Sequence, residues 1–281
     1  MKIVLSKEIG YCSGVKSAID KAIELAKNRK EVIYTLGKII HNEQTVDMLK
    51  KKFNIVPCES IDKIPQNATV IIRTHGIAPR ELDRLKNLNA SIVDLTCPFV
   101  RKTQQIAKDL DEKGYFVVIL GEKRHPEIAG IAGFVASQKY KLVENEKDIE
   151  EIPPCQKVGV VFQSTTTLEN FECILPVIIR KSSETRIYKT ICERTINRQK
   201  YVTTLAQKSD ELIIIGSKNS SNTRKLYEVA ARESKKVHYV EGINDLKNVD
   251  FSNVGVVGIA TGTSTSRELV EEVIADIRAR Y

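Results

Sequence analysis

The 281-residue chain has no tryptophan, only two methionines and four histidines, and none of its six cysteines stands in a C-x-x-C pair. The missing pair excludes zinc ribbons, zinc fingers, thioredoxin-like motifs and the closely spaced ferredoxin pattern, which gather ligands from one short loop. A metal centre here must draw its ligands from distant parts of the chain. No apolar run approaches the roughly 20 residues that cross a bilayer, and no basic and aromatic residues interleave as they do in nucleic-acid binders. Lysine and arginine outnumber acids 44 to 36, a net charge of +8. They alternate with Asp and Glu along the chain, which predicts a solvated surface that attracts small anions rather than nucleic acid or membrane. The opening MKIVLSKEIGYCSG has no long apolar core and no small-residue cleavage site. The expectation is a cytoplasmic protein with reduced thiols, available for metal ligation, catalysis or burial.

What is present is a unit written three times. Cys12, Cys97 and Cys192, spaced 85 and 95 residues apart, each follow a strand-like run (Lys2 to Leu5, Ala90 to Leu95, Arg186 to Ile191). Each also opens an amphipathic helix pattern. A buried strand comes next (Val32 to Leu36, Tyr115 to Leu120, Glu211 to Ile215) and ends at Gly37, Gly121 or Gly216. Four residues past each glycine stands a polar group: His41, His125 or Ser220. Further helix and strand patterns lead to a last buried strand (Thr69 to Arg73, Val158 to Phe162, Val254 to Ile259). Each is followed by small polar or imidazole side chains: Thr74-His75-Gly76, Gln163-Ser164-Thr165 and Thr261-Gly262-Thr263-Ser264. The closing helix of the chain has Thr265 and Glu268 as a capping pair. The repeat predicts three small α/β domains with parallel sheets, residues 1–90, 91–185 and 186–281, related by a pseudo-threefold axis. Ligands of such sheets bind outside the carboxyl ends of the strands, where all three cysteines and all six polar stations fall.

Three thiolates in threefold register suit a [4Fe-4S] cluster with one open iron, although a Cys3His zinc site or three ordinary buried cysteines would leave the same pattern. Cys58 and Cys155, in loops before the final strands, and Cys173, on a helix, do not repeat and read as packing residues. Three of the four histidines (His41, His75, His125) occupy repeated stations, whereas His238 lies inside a strand pattern and reads as structural. Ser164, Thr165, Ser220, Ser221, Asn222 and Ser264 are neutral donors at strand ends and helix starts. Singly they could be helix caps; with the imidazoles they suit a phosphate or diphosphate. Glu127 is the lone carboxylate among them, and it reads as a proton carrier for C–O cleavage or, more simply, as a first-turn acid on a helix dipole.

Nine fragments in order complete the reading: GYCSGVKSAI, HNEQTV, THG, TCPFV, GEKRHPE, QST, CERTINRQ, SKNSSNT and GTST. Together they resemble the 4-hydroxy-3-methylbut-2-enyl diphosphate reductase family, of the last step of the methylerythritol phosphate route to isoprenoids, from end to end. The resemblance implies a trefoil of three α/β domains around a central [4Fe-4S] cluster held by Cys12, Cys97 and Cys192. The implied reaction is reductive dehydroxylation of an allylic diphosphate to isopentenyl and dimethylallyl diphosphate. It assigns His41, His75, His125, Ser220, Ser221, Asn222 and Ser264 to the diphosphate, and Glu127 with Thr165 to the proton and the substrate hydroxyl. It also implies ferredoxin or flavodoxin as electron donor; a monomer is the default expectation. Arg194 departs from the Ala usual after the third cysteine, Ser164 from a frequent Thr and Ser266 from a frequent Pro; none removes a ligand or the acid. The rival readings are a quinolinate-synthase-like dehydratase, which needs no net electrons, and a non-enzymatic iron–sulfur or zinc scaffold.

Overall fold

The computed structural model describes residues 1–167, 169, 172, 175–234 and 236–281. The described strands are β1 (Lys2–Leu5), β2 (Ile33–Leu36), β3 (Ile55–Cys58), β4 (Thr69–Ile72), β5 (Ser91–Asp94), β6 (Phe116–Leu120), β7 (Tyr140–Val143), β8 (Cys155–Phe162), β9 (Ser182–Ile187), β10 (Glu211–Ile215), β11 (Val237–Val240) and β12 (Val256–Thr261). They form three four-stranded sheets in the orders β3-β2-β4-β5, β7-β6-β8-β9 and β11-β10-β12-β1. Every pairing is parallel. The fold is therefore α/β, as the repeat predicts.

The three orders are one permutation: second strand, first, third, fourth. The strand that leads to each cysteine is thus the fourth strand of the sheet before it. β5 pairs with β4, β9 with β8, and β1 with β12 across the length of the chain. The boundaries at 90/91 and 185/186 separate a strand from its sheet or cut it. Nothing in a short apolar run states which sheet it will join, since any sheet edge accepts it.

The chain divides into two compact units, one of Met1–Lys16, Ile40–Asp47 and Glu193–Tyr281, the other of Ser17–Ile39 and Met48–Cys192. The first contains the sheet of β10, whose run Glu211-Leu-Ile-Ile-Ile215 shows no polar alternation because helices cover both faces. Ile213 and Ile215 pack with Leu269, Val273 and Ile277 of the helix Arg267–Arg280. Leu212 and Ile214 point the other way, onto Val202 and Leu205 of the helix Glu193–Ala206 and Leu226 of the helix Ser221–Glu233. Each such isoleucine contributes roughly 1.5–3 kcal/mol by leaving water. The second unit holds the other two sheets, with Val117 and Ile119 of β6 against Ile128 and Ile131, and Val70 and Ile72 of β4 against Leu85.

Local expectations shift in four places. The third pre-cysteine strand is Ser182–Ile187 rather than Arg186 to Ile191, an edge strand whose polar residues hide its periodicity. Cys58 closes β3 and Cys155 opens β8, so both are in strands rather than loops; Cys173 lies outside the described residues. The helix expected to run from Glu127 to Ser137 is Pro126–Ala132 and stops at Gly133. The last helix is capped by Ser266, which accepts from Leu269 N, while Thr265 Oγ1 donates to Ile215 O. His238 lies within β11, as expected, and is tied to Glu211 (Nε2 to Oε2, 2.7 Å) at the far end of its sheet from the stations.

Candidate functional site

The order second-first-third-fourth reverses direction between the first and third strands, and loops leaving the carboxyl ends of those two strands diverge to leave a crevice. The same hydrogen bonds build that crevice in each sheet. The glycine after the first strand donates to the end of the second: Gly37 N to Cys58 O (2.8 Å), Gly121 N to Val143 O (2.8 Å) and Gly216 N to Val240 O (2.9 Å). Each cysteine N–H then donates to the carbonyl two residues beyond the third strand, at 3.0 Å every time: Cys12 to Thr263, Cys97 to Thr74 and Cys192 to Ser164.

All three cysteines are outside disulfides, half-buried and placed just before or at the start of a helix. Cys97 is the N-cap of the helix Pro98–Glu112, and Val15 N points at Cys12 Sγ at 3.4 Å in the helix Ser13–Lys27. Free backbone N–H groups at a helix start favour negative charge, so each position suits a thiolate ligand. Each of the three is thus a residue that could ligate a metal.

In the second unit, the crevice of the sheet containing β6 carries the acid. His125 caps the helix Pro126–Ala132, and its Nδ1 accepts from Glu127 N at 3.2 Å. A neutral His125 therefore carries its proton on Nε2. The His75 ring lies edge-on to the His125 ring at 5.2 Å. Glu127 is 2% exposed, and both its oxygens are held by one residue, Oε1 by Ser164 N (2.6 Å) and Oε2 by Ser164 Oγ (2.8 Å). Burial pushes its carboxyl up to about 7, against the opposing pull of those two Ser164 hydrogen bonds. A carboxyl poised there can hold and release a proton at neutral pH.

Ser164, expected among the diphosphate donors, is thus the direct partner of the acid. Thr165, expected beside the acid, accepts from Gln163 Nε2 at 2.9 Å. Gln163 is missing from the predicted site yet organises this loop, because its Oε1 also accepts from Glu122 N at 2.9 Å. Its side chain fills the space a Cβ on Gly121 would need, 2.5 Å from Gln163 Oε1, which is why that strand end is a glycine. A fully buried amide directly after an apolar strand was the available signal.

In the first unit, the crevice of the sheet containing β10 gathers Ser220, Ser221, Asn222 and Ser264, all buried. Ser220 caps the helix Ser221–Glu233 by accepting from Thr223 N. Asn222 Oδ1 accepts from Thr263 N at 2.9 Å, while its buried Nδ2 has no hydrogen-bond partner. A buried donor left over at a helix start is what a bound anion would satisfy. Ser264 Oγ donates to His41 O (3.4 Å), and Asn42 beside it accepts from Thr45 N and Oγ1, the latter also 2.7 Å from Tyr11 Oη. The His41 loop is thereby fastened to the residue preceding Cys12. Arg198, Asn42 and Tyr11 were not among the predicted site residues; for Arg198 the signal was a cation on the apolar stripe between Ile196 and Val202.

No described helix is long and apolar enough to cross a membrane. The 4-hydroxy-3-methylbut-2-enyl diphosphate reductase of Campylobacter hominis is 39% identical over 277 residues, covering 99% of this chain and 98% of that one. A solved (E)-4-hydroxy-3-methyl-but-2-enyl diphosphate reductase, the terminal enzyme of the non-mevalonate pathway, superposes with a TM-score of 0.75 at 36% identity, covering 99% of this chain and 100% of the other. The structure of the E-1-hydroxy-2-methyl-but-2-enyl-4-diphosphate reductase from Plasmodium falciparum superposes with a TM-score of 0.92 at 26% identity, over 98% of this chain and 87% of the other. Matching the family's model over residues 3–278, nearly its whole length, the chain belongs to the LytB protein family.

Proposed function

We propose that this chain reduces (E)-4-hydroxy-3-methylbut-2-enyl diphosphate to isopentenyl and dimethylallyl diphosphate, removing the allylic hydroxyl as water with two electrons and two protons. Full-length similarity to reductases of that name supports the substrate. The observation that carries the chemistry is Glu127, buried, held on both oxygens by Ser164 and poised near 7.

Cys12, Cys97 and Cys192 would hold a [4Fe-4S] cluster, one thiolate from each repeated unit, as their identical backbone tethers support. Bound there, the cluster supplies the electrons and a Lewis-acidic iron. Glu127 delivers the proton that lets the hydroxyl depart as water, since hydroxide is a poor leaving group. Ser164 keeps the carboxyl oriented by holding both its oxygens. His41, His75 and His125, with Ser220, Ser221, Asn222 and Ser264, bind the diphosphate through imidazole, hydroxyl and amide donors, and Asn222 Nδ2 is the donor most plainly awaiting an acceptor. Thr165 closes the loop over the substrate hydroxyl. A small acidic electron carrier such as ferredoxin or flavodoxin suits the +8 chain, and we read the enzyme as a cytoplasmic monomer.

The test is to purify the protein without oxygen, quantify iron and sulfide, and follow reduced-dye oxidation with and without the substrate, beside Glu127→Gln. About four irons per chain, dye oxidation only with substrate and a nearly inactive variant are expected. Zinc in place of iron, or iron without electron consumption, would leave a structural or dehydratase site instead.

A further inference from the structure

Arg198 is an arginine where a core residue would be expected, only 2% exposed on the helix Glu193–Ala206. Its Nη1 donates to Thr261 O (2.8 Å), Thr261 Oγ1 (3.1 Å) and Gly262 O (3.0 Å), and its Nη2 to Gly10 O (2.8 Å). Two of the loops at the carboxyl end of its sheet are thereby held by one side chain. Gly10 leads to Cys12, and Thr261-Gly262 leads to Ser264. The same joint is closed by Gly10 N donating to Thr261 Oγ1 (2.9 Å) and Cys12 N donating to Thr263 O (3.0 Å). Gly10 itself sits at φ +77°, a left-handed turn that turns its carbonyl toward the guanidinium and that a side chain would resist.

The frame does not require this cation. The equivalent position, six residues past the cysteine, is Ala18 in one copy and Thr103 in the other, both buried. Burying a guanidinium costs desolvation that an apolar residue of the same volume would avoid. What differs in this copy is the length of the cysteine loop. Two residues separate β5 from Cys97 and four separate β9 from Cys192, but six separate β1 from Cys12. A longer loop has more freedom to lose before its thiol is placed.

We propose that Arg198 is the positioning residue of the Cys12 loop: it fixes that long loop against the Ser264 loop so that the thiol and the anion-binding hydroxyl are presented as one rigid piece. The proposal rests on the reading that Cys12 is a cluster ligand. Glu8, itself in the Cys12 loop, adds an ion pair to the same joint, its Oε2 standing 3.6 Å from Arg198 Nε.

The test uses Arg198→Met, Arg198→Lys, which keeps charge but not the fork, and Arg280→Met as a control, an arginine of the same unit that donates to Leu246 O and Val249 O. Amide hydrogen exchange of the metal-free full chain is followed by mass spectrometry, then iron per chain and the electron paramagnetic resonance spectrum after anaerobic reconstitution and reduction. The expected result for Arg198→Met is exchange faster by about tenfold or more in residues 10–12 and 262–264, with the sheet containing β6 unchanged. Iron uptake should fall below half of the parent value, and the spectrum should change in line shape. Arg198→Lys should restore iron uptake only in part and keep the altered line shape, while Arg280→Met should match the parent. Unchanged exchange in the two loops, loss of protection spread equally over the sheet containing β6, or the same response in Arg280→Met would overturn the proposal. A parent protein that takes up no iron while the two loops still respond as expected would sustain the positioning and overturn the cluster reading alone.

Discussion

Two crevices of this protein share one backbone plan and carry different side chains at its second helical residue. In the sheet of β6, the second residue of the helix after the polar station is Glu127, and its oxygen accepts from the N–H two residues past β8, at Ser164. In the sheet of β10, the second residue of the corresponding helix is Asn222, and its oxygen accepts from the N–H two residues past β12, at Thr263. Both side chains are 2% exposed. The carboxyl has its proton affinity raised by burial, to about 7. The amide cannot titrate, and its Nδ2 is left as a buried donor without a hydrogen-bond partner. One frame, duplicated, thus buries a titratable carboxyl in one place and an amide with a spare donor in another, the two roles we propose for proton transfer and anion contact.

Replacing the acid should give the largest effect. Glu127→Gln keeps the shape and the hydrogen bond to Ser164 N but holds no transferable proton, so kcat should fall by roughly 10²–10⁴-fold with KM little changed, measured by substrate-dependent dye oxidation. Asn222→Ala removes a donor to a charged group and should raise KM by roughly 10- to 100-fold with kcat largely retained. If both variants alter the same constant, the division of labour between the two crevices is wrong.

The pH dependence sharpens the same contrast. The acid ionises near its ordinary 4.5 in the unfolded chain and near 7 in the folded one, so the fold favours its protonated form. Its contribution to stability is fully present below pH 4.5 and lost as pH rises through 7, an effect on the order of 3 kcal/mol. Thermal unfolding from pH 4.5 to 8 should show that slope in the parent and in Asn222→Ala and lose it in Glu127→Gln. The smallest change should come from Ser164→Ala. The serine hydroxyl helps hold the carboxylate, so its loss moves the Glu127 pKa above 7 and carries the falling limb of the pH–rate profile to higher pH, with kcat at the optimum lowered by about tenfold.

The repeat made the frame legible before any coordinate. Buried strands such as Glu211–Ile215 announce themselves by unbroken apolar runs, and a glycine followed four residues on by a polar side chain marked the helix caps His125 and Ser220. Edge strands were harder. Ser182–Ile187 is polar and half-exposed, and the destination of β1, beside β12, depends on a contact more than 250 residues away in sequence. Neighbouring hydroxyls were harder still. Thr265 and Ser266 are equally good caps by composition, and only packing sends the first to Ile215 O and the second to Leu269 N. That Ser164 is the residue on Glu127 was hidden for the same reason, since which of two adjacent side chains faces the acid is set by the turn after β8. Arg198 was visible only as a cation on an apolar stripe, a conflict between local pattern and burial of the kind that marks functional positions.

The measurement closest to the central claim is an infrared difference titration of the protonated carboxyl band from pH 4 to 9, comparing the parent protein with Glu127→Gln. A band that disappears with a midpoint near 7 and is missing from the variant is the predicted result. A Glu127 band that titrates with the ordinary acids near 4.5 would make it a helix-start carboxylate and leave the proton without a carrier.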